Sequence, residues 1–242
     1  DLKRFRNFST EKENTTITQL LTMSAPFEGN DNNGKSAGNE ENMYPTSDWV
    51  KFTLDLPVDT AYTSGGWHYF TAGVVLLGDI IHKSVPGGLE KYADEKLFKP
   101  LNITNYKWQY TPQKVANTAG GIRMNSLDFA KYAQLYKNEG KWNDKQLLPK
   151  KWVEKSFTKH KLIPGRDKEY YGYLFWNKTY KVDGKEYETF YCAGNGGNHI
   201  YIFKELPLVV VVTASAYNRP YAHAQVHTIM QDYVLPAVLS SK

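Results

Sequence analysis

One cysteine in 242 residues, Cys192, rules out an intrachain disulfide. No Cys/His spacing of the zinc type accompanies it, so a structural zinc site is excluded as well. Cys192 lies in an apolar strand pattern and reads as a buried structural thiol. No run of 18 apolar residues occurs, which excludes a membrane-spanning helix by length and hydropathy. No signal peptide and no internal repeat are visible. The excess of positive charge is small, +5. Its lysines, such as Lys145, Lys150, Lys151, Lys155, Lys159 and Lys161, are scattered as on solvated helix faces. No basic stripe alternates with exposed aromatics, so no nucleic-acid partner is expected.

What remains is an ordinary soluble composition, 41% hydrophobic and 23% charged, in a chain long enough to bury a real core. The aromatic share, 14%, is high and mostly tyrosine, which suits half-buried surfaces and polar clefts. Thr16 caps a short helix with Ile17, Leu20 and Leu21 on its apolar face. Residues 28–42 are nearly all Gly, Asn, Asp, Glu and Ser and read as a solvated, mobile loop. Ser47-Asp48 opens a helix at Trp49. Residues 72–84 read as a buried helix, and 89–98 as an amphipathic one that stops at Pro100. A helix over 126–139 is capped by Ser126 and ends at Gly140. Pro149 opens another, running to about Lys159.

After residue 165 the period changes. Segments 171–176, 187–192, 200–203 and 208–213 read as strands, with Val209-Val210-Val211-Val212 covered on both faces. A final helix spans about 221–239. Helices, then an antiparallel meander, then a helix predict an α+β fold. The helical part would occupy about 1–160, and the strands with the last helix about 165–242.

Two places carry more chemistry than filler requires. In Trp67-His68-Tyr69-Phe70-Thr71, a tyrosine and a hydroxyl residue stand two apart at a loop-to-helix junction. The helix N-terminus there favours negative charge, as a phenolate or oxyanion would have. A packed aromatic corner is the competing reading. In Asn195-Gly196-Gly197-Asn198, paired glycines at a strand start allow another backbone or a substrate to come close, and exposed N–H groups can act as oxyanion donors. A plain hairpin turn is the competing reading there. His68 reads as a structural histidine, and His199 alternates away from Asn198. Trp67, Tyr62 and Tyr44 could wall a substrate or simply pack. Asp79 reads as a helix-surface charge. His223 and His227 are four apart without a third ligand, so they read as a solvated helix face and no metal is expected.

Five segments, in order, resemble one family. They are Ile17-Thr18-Gln19-Leu20-Leu21-Thr22-Met23; Tyr69-Phe70-Thr71 followed by Leu77-Gly78-Asp79-Ile80-Ile81; Leu97-Phe98-Lys99-Pro100-Leu101; Ala119-Gly120-Gly121-Ile122-Arg123-Met124; and Gly194 to Asn198 followed by Leu208 to Val212. Over nearly the whole chain the sequence resembles serine β-lactamases and penicillin-binding proteins, most closely the class C β-lactamase-related esterases and 6-aminohexanoate-dimer hydrolases. The resemblance implies one domain: an antiparallel sheet flanked by helices, with an adjoining helical lobe. It implies acylation and deacylation of a serine from a Ser-x-x-Lys motif, without a cofactor. Tyr69 then takes the proton-transfer position, and Thr71 stands where Asn or Ser is usual. Asn195, Gly196 and Gly197 stand where Lys-Thr-Gly or His-x-Gly is usual. Asn198 offers the strand N–H of the oxyanion hole, and Trp67 lies beside the substrate.

Two departures shape the expectation. Asn195 removes a cationic partner for a substrate carboxylate, which favours an ester or amide over a penicillin. The Ser-x-x-Lys segment and the first strands of the sheet, which precede the Ile17 segment in relatives, are absent from this chain. Ser9-Thr10-Glu11-Lys12 and Ser156-Phe157-Thr158-Lys159 match the pattern by chance. The expectation is therefore a serine hydrolase of esters, amides or β-lactams whose nucleophile lies upstream, the chain alone being inactive. An N-terminal fragment or second chain would complete the fold. A non-catalytic binding or scaffold protein on the same fold is the alternative, and a strict β-lactamase or D-Ala-D-Ala peptidase another. The other partner is a small-molecule or peptide-like substrate, and the compartment periplasmic or extracellular.

Overall fold

A computed structural model describes residues 2–59 and 66–240 and divides them into two compact units, meeting at Arg123 and Met124. Tyr62 lies outside the described residues. Unit 1 is helical: α1 (Thr10–Glu13), α2 (Ile17–Leu21), α3 (Glu40–Met43), α4 (Trp49–Asp55), α5 (Thr71–Ser84) and α6 (Gly88–Ala93), the last running into a π-helical turn at Asp94–Phe98. A two-residue strand, β1 (Tyr106–Lys107), pairs with β2 (Arg123–Met124).

Caps explain where these short helices start. Thr16 and Gln19 form a reciprocal capping box on α2, and the Asp48 side chain accepts from Lys51 N–H to start α4. The centre is α5, whose residues from Thr71 to Gly78 are all buried. Val74, Val75, Leu76 and Leu77 each gain about 1.5–3 kcal/mol from leaving water. Helices α2, α3, α4 and α6 all pack on it.

Lys12 of α1 is buried, and its Nζ donates to the carbonyls of Arg6, Asn7, Leu54 (2.6 Å) and Leu56 (2.8 Å). It ties the N-terminal turn to the end of α4. Burial pushes its ammonium pKa down, while Asp55 opposes the shift. Lys12→Met keeps the stem but leaves four carbonyls without their donor. We expect it to destabilise unit 1 by about 2–3 kcal/mol in urea unfolding. A change under about 0.5 kcal/mol would mean that water replaces the ammonium.

Unit 2 holds α7 (Ser126–Lys137), the ribbon β3 (Lys141–Trp142) and β4 (Lys145–Gln146), and α8 (Lys150–Ser156). It continues with β5 (Lys161–Leu162), β6 (Tyr170–Tyr171), β7 (Trp176–Val182), β8 (Lys185–Gly194), β9 (Asn198–Phe203) and β10 (Val209–Val212). Helix α9 (Ala222–Ile229), a π-helical turn and α10 (Leu235–Ser240) close it. The cap of α7 is Asn125 rather than Ser126: its side chain accepts from Asp128 N–H at 2.9 Å, one residue earlier than the sequence signal. Strands β5 to β10 form one antiparallel sheet in the order β10-β9-β8-β7-β6-β5. Period-2 alternation feeds two cores. Phe190 and Ile202 meet Ala133 and Tyr136 of α7 and Val153 of α8. Tyr180, Tyr191, Tyr201 and Phe203 meet Val226 of α9, Met230 and Leu235. The fold class is the expected α+β.

Three expectations need correction. The segment 171–176 is not one strand: β6 ends at Tyr171 and β7 begins at Trp176, with no strand between them. Residues 28–42 are not a solvated loop: Ser36 and Asn39 are buried, and Asn39 Nδ2 donates to the carbonyls of Asp31 and Asn33. Residues 209–212 touch both cores, yet all four valines stay half-exposed, because β10 is the edge of the sheet among the described residues.

Candidate active site

In unit 1, Tyr69, Phe70 and Thr71 lead into α5. Phe70 takes the N-cap position but has no side chain with which to cap. The acceptor comes from forty residues earlier: Asp31 Oδ2 accepts from Thr71 N–H at 2.7 Å. The other oxygen, Oδ1, accepts from Glu40 N–H at 2.9 Å, and the Asp31 N–H donates to the Tyr69 carbonyl at 2.9 Å. Asp31 thus fills the anion position at the helix N-terminus that the sequence had offered to a phenolate or oxyanion. Burial raises its carboxyl pKa to about 6, against the lowering effect of the Thr71 bonds.

The neighbours hold the motif in place. Phe70 is buried, its N–H meets Met23 Sδ at 3.4 Å, and a Cβ on Gly29 would lie 2.1 Å from its ring. His68 Nδ1 pairs with Asn30 Nδ2 at 3.0 Å, a structural histidine as expected. Tyr69 is half-buried. Trp67 is 6% exposed and belongs to the core. Tyr44 is exposed, hydrogen-bonds Glu40 and packs on Trp49. Asp79 pairs with Lys83 on the helix surface, as read.

In unit 2, Gly194 pairs with Asn198, so Asn195, Gly196 and Gly197 form the β8–β9 turn. Gly196 and Gly197 have φ of +88° and +85°, where a side chain is strained. A Cβ on Gly197 would also lie 2.9 Å from the Ala222 carbonyl. The close backbone approach inferred from the paired glycines is present, supplied here by residues 214–222. The Asn198 side chain bonds to both the N–H and the carbonyl of Ala214, at 3.2 and 3.1 Å, and donates to the Asn195 carbonyl at 2.7 Å. It splices the turn to the chain leaving β10. Asn195 exchanges hydrogen bonds with Asn218 and is exposed. The arrangement is a neutral, rigid turn whose amide side chains are already engaged.

Neither Ser-x-x-Lys match is built as a nucleophile. Ser9 caps the four-residue α1 by accepting from Lys12 N–H, and the Lys12 ammonium is spent on carbonyls. Ser156 is buried and donates to the Trp152 carbonyl at 2.8 Å, while Lys159 pairs with Glu188. The Cys192 thiol is pushed up to about 12 by burial, which removes it as a nucleophile at neutral pH.

Sequence reasoning misjudged one cluster. His223 is exposed, as read, but His227 is half-buried, and both hydrogen-bond onto the sheet. His199 on β9 is buried; its Nδ1 meets Tyr201 OH at 2.7 Å and its Nε2 meets His223 Nδ1 at 2.8 Å. His227 Nδ1 meets Tyr180 OH at 2.7 Å and Tyr201 OH at 3.2 Å. Burial, then the neighbouring histidines, lowers His199 to about 3. Burial, then Lys178, lowers His227 to about 4. Burial, then Arg166, also lowers His223. The four-residue spacing on α9 was the available signal, but it pointed to two tyrosines and a third histidine rather than to a metal.

Comparison with known proteins gives one family over the span that contains both segments. The family model described as Beta-lactamase matches residues 6–231. No curated protein matches the sequence. Among solved structures, a candidate 6-aminohexanoate-dimer hydrolase from Bacillus anthracis aligns with TM-score 0.74 at 19% identity, covering 93% of this chain and 62% of that one. An octameric penicillin-binding protein homologue from Pyrococcus abyssi gives 0.64 at 20%, covering 95% and 59%. The D-amino acid amidase from Ochrobactrum anthropi SV3, in complex with L-phenylalanine amide, gives 0.66 at 14%, covering 94% and 72%. This chain therefore spans about three fifths of the length of the first two. At these identities the likeness establishes the fold.

Proposed function

The chain belongs to the Beta-lactamase family, and from that premise we propose that it carries two parts of a serine hydrolase site that works through an acyl-enzyme. Tyr69 moves protons to and from the attacking and leaving groups. The backbone N–H of Asn198 is one oxyanion donor, and the turn at Asn195, Gly196 and Gly197 lies against the substrate. The observation that carries this reading is the pairing of two motifs with rigid supports: Tyr69-x-Thr71 fixed at the start of a buried helix, and a glycine turn fixed at the start of β9. The Asn198 amide side chain is structural, so only its backbone is assigned a role.

Both Ser-x-x-Lys matches are engaged elsewhere, which supports a nucleophile from residues upstream of those given. The half-exposed edge of β10 supports a further strand from the same source or from another chain. The substrate is an ester or amide ahead of a penicillin, because Asn195 and Asn218 form a neutral amide pair where a carboxylate would want a cation. The amidase among the structural neighbours is compatible with that choice.

Labelling tests the reading. The full-length protein is expected to take up one equivalent of a fluorophosphonate on a serine outside Ser9 and Ser156, detected by intact mass and peptide mapping. Absence of any adduct, with fluorophosphonate or with a fluorescent penicillin, would overturn the enzyme reading in favour of a non-catalytic binding protein on this fold.

A further inference from the structure

We propose that Asp31 is the positioning residue of the tyrosine motif: it clamps both ends of Tyr69–Thr71 and sets where the Tyr69 phenol points. This rests on the reading of Tyr69 given above. The geometry is specific to this carboxylate. Its N–H holds the Tyr69 carbonyl, one oxygen takes the N–H of Thr71, and the other is anchored on Glu40 N–H. Three residues of motif are thereby fixed to a segment forty positions away in sequence. Phe70, between the two ends, is clamped by Gly29 and Met23. With three backbone ties around one phenol, the ring's base position is set by Asp31 rather than by the helix alone.

The clamp works only as a carboxylate. Asn at this position keeps one acceptor oxygen and turns an NH₂ group towards an N–H donor, whichever way it is flipped. Protonation has a similar effect, because one oxygen becomes a donor. The titratable groups around Asp31 are Glu40 and Tyr44 from the α3 side, and His68 and Tyr69 from the motif. The carboxyl titrates near 6, so the clamp is intact at neutral pH and loosens below it.

The test uses the full-length protein and p-nitrophenyl butyrate. Asp31→Asn is expected to lower kcat by about 10²-fold, the cost of a misplacement near 1 Å, with KM within threefold. The wild-type kcat should fall on an acid limb near pH 6 that Asp31→Asn lacks. Lys12→Met, which weakens unit 1 away from the motif, is expected to lower stability without this loss of kcat. A twofold or smaller change in kcat for Asp31→Asn, or an equal loss for Lys12→Met, would overturn the proposal. If the wild type hydrolyses no ester and takes no fluorophosphonate, the hydrolase reading fails instead. The clamp is then judged by the ¹³Cζ resonance of Tyr69: a shift in folded Asp31→Asn supports it, and an unmoved resonance overturns it.

Discussion

Replacing Tyr69 with phenylalanine is expected to lower kcat of the full-length protein by about 10²- to 10⁴-fold, the usual worth of a positioned acid–base group, while KM changes little. The argument begins with what the substitution spares. Tyr69 is half-buried, and its backbone is held by the Asp31 N–H. Phenylalanine keeps the ring, the backbone bond and the path into α5. The hydroxyl alone is lost, so a change in turnover without a change in unfolding midpoint reports on proton transfer. Steady-state kinetics on an ester and on an amide check it. The amide should suffer more, because its poorer leaving group needs the proton more. A Tyr69→Phe enzyme with wild-type kcat on both would remove Tyr69 from the mechanism.

Acid should destabilise unit 2 by an amount on the order of 2–4 kcal/mol between pH 7 and pH 4, a range reduced from the full linkage value because His227 reaches water. In the folded state His199 and His227 titrate at about 3 and about 4, below the usual histidine value near 6.5. The unfolded chain therefore binds more protons in that interval. The contribution of these groups is fully present above about pH 6.5 and is lost as pH falls through 4 towards 3. Chemically, charging both His199 and His223 would set two N–H donors face to face with no acceptor between them. Glu169, held below its usual value by Lys178 and Arg166 despite burial, adds to the loss only at lower pH. Urea unfolding at pH 7, 5.5 and 4.5, followed by tryptophan fluorescence, measures the slope, and His227→Gln should flatten it. Stability independent of pH over this range would show that the cluster stays hydrated. Asp31 acts in the opposite sense: its folded carboxyl lies above the unfolded value, so protonation between about 6 and 4 relieves a cost in unit 1. Asp55 and Asp94, whose folded carboxyls lie below the usual value, act against Asp31 within unit 1.

These contrasts mark what was legible in the sequence. Local periodicity located α5, α7 and strands β8, β9 and β10 within a few residues, because each signal lies inside its own segment, but it read 171–176 as a strand where β7 runs over Trp176–Val182. The Thr16–Gln19 capping box and the turn at Gly196 and Gly197 were legible for the same reason. Asp31 was not: it is one acid in a polar stretch, and only the bonds to Tyr69 and Thr71 distinguish it. The same limit hid the histidines of α9, whose partners lie on β7 and β9. Thr71 and Trp67 were assigned to the site because motif spacing fixes position along the chain, whereas their burial is set by neighbours from other segments. The exposed Asn195, by contrast, lies on a turn that the glycines announced.

The outer margin of β10 has a colloidal consequence. An edge strand of four valines, paired on one side with β9 and with no strand on its other side among the described residues, is a template for any extended strand, including the same segment of another copy. Pro207, just before the strand, cannot extend that ladder, so templating is confined to a short window. Left unpaired, that window would favour self-association in concentrated solution, and whatever occupies it natively also serves as the chain's protection against precipitation.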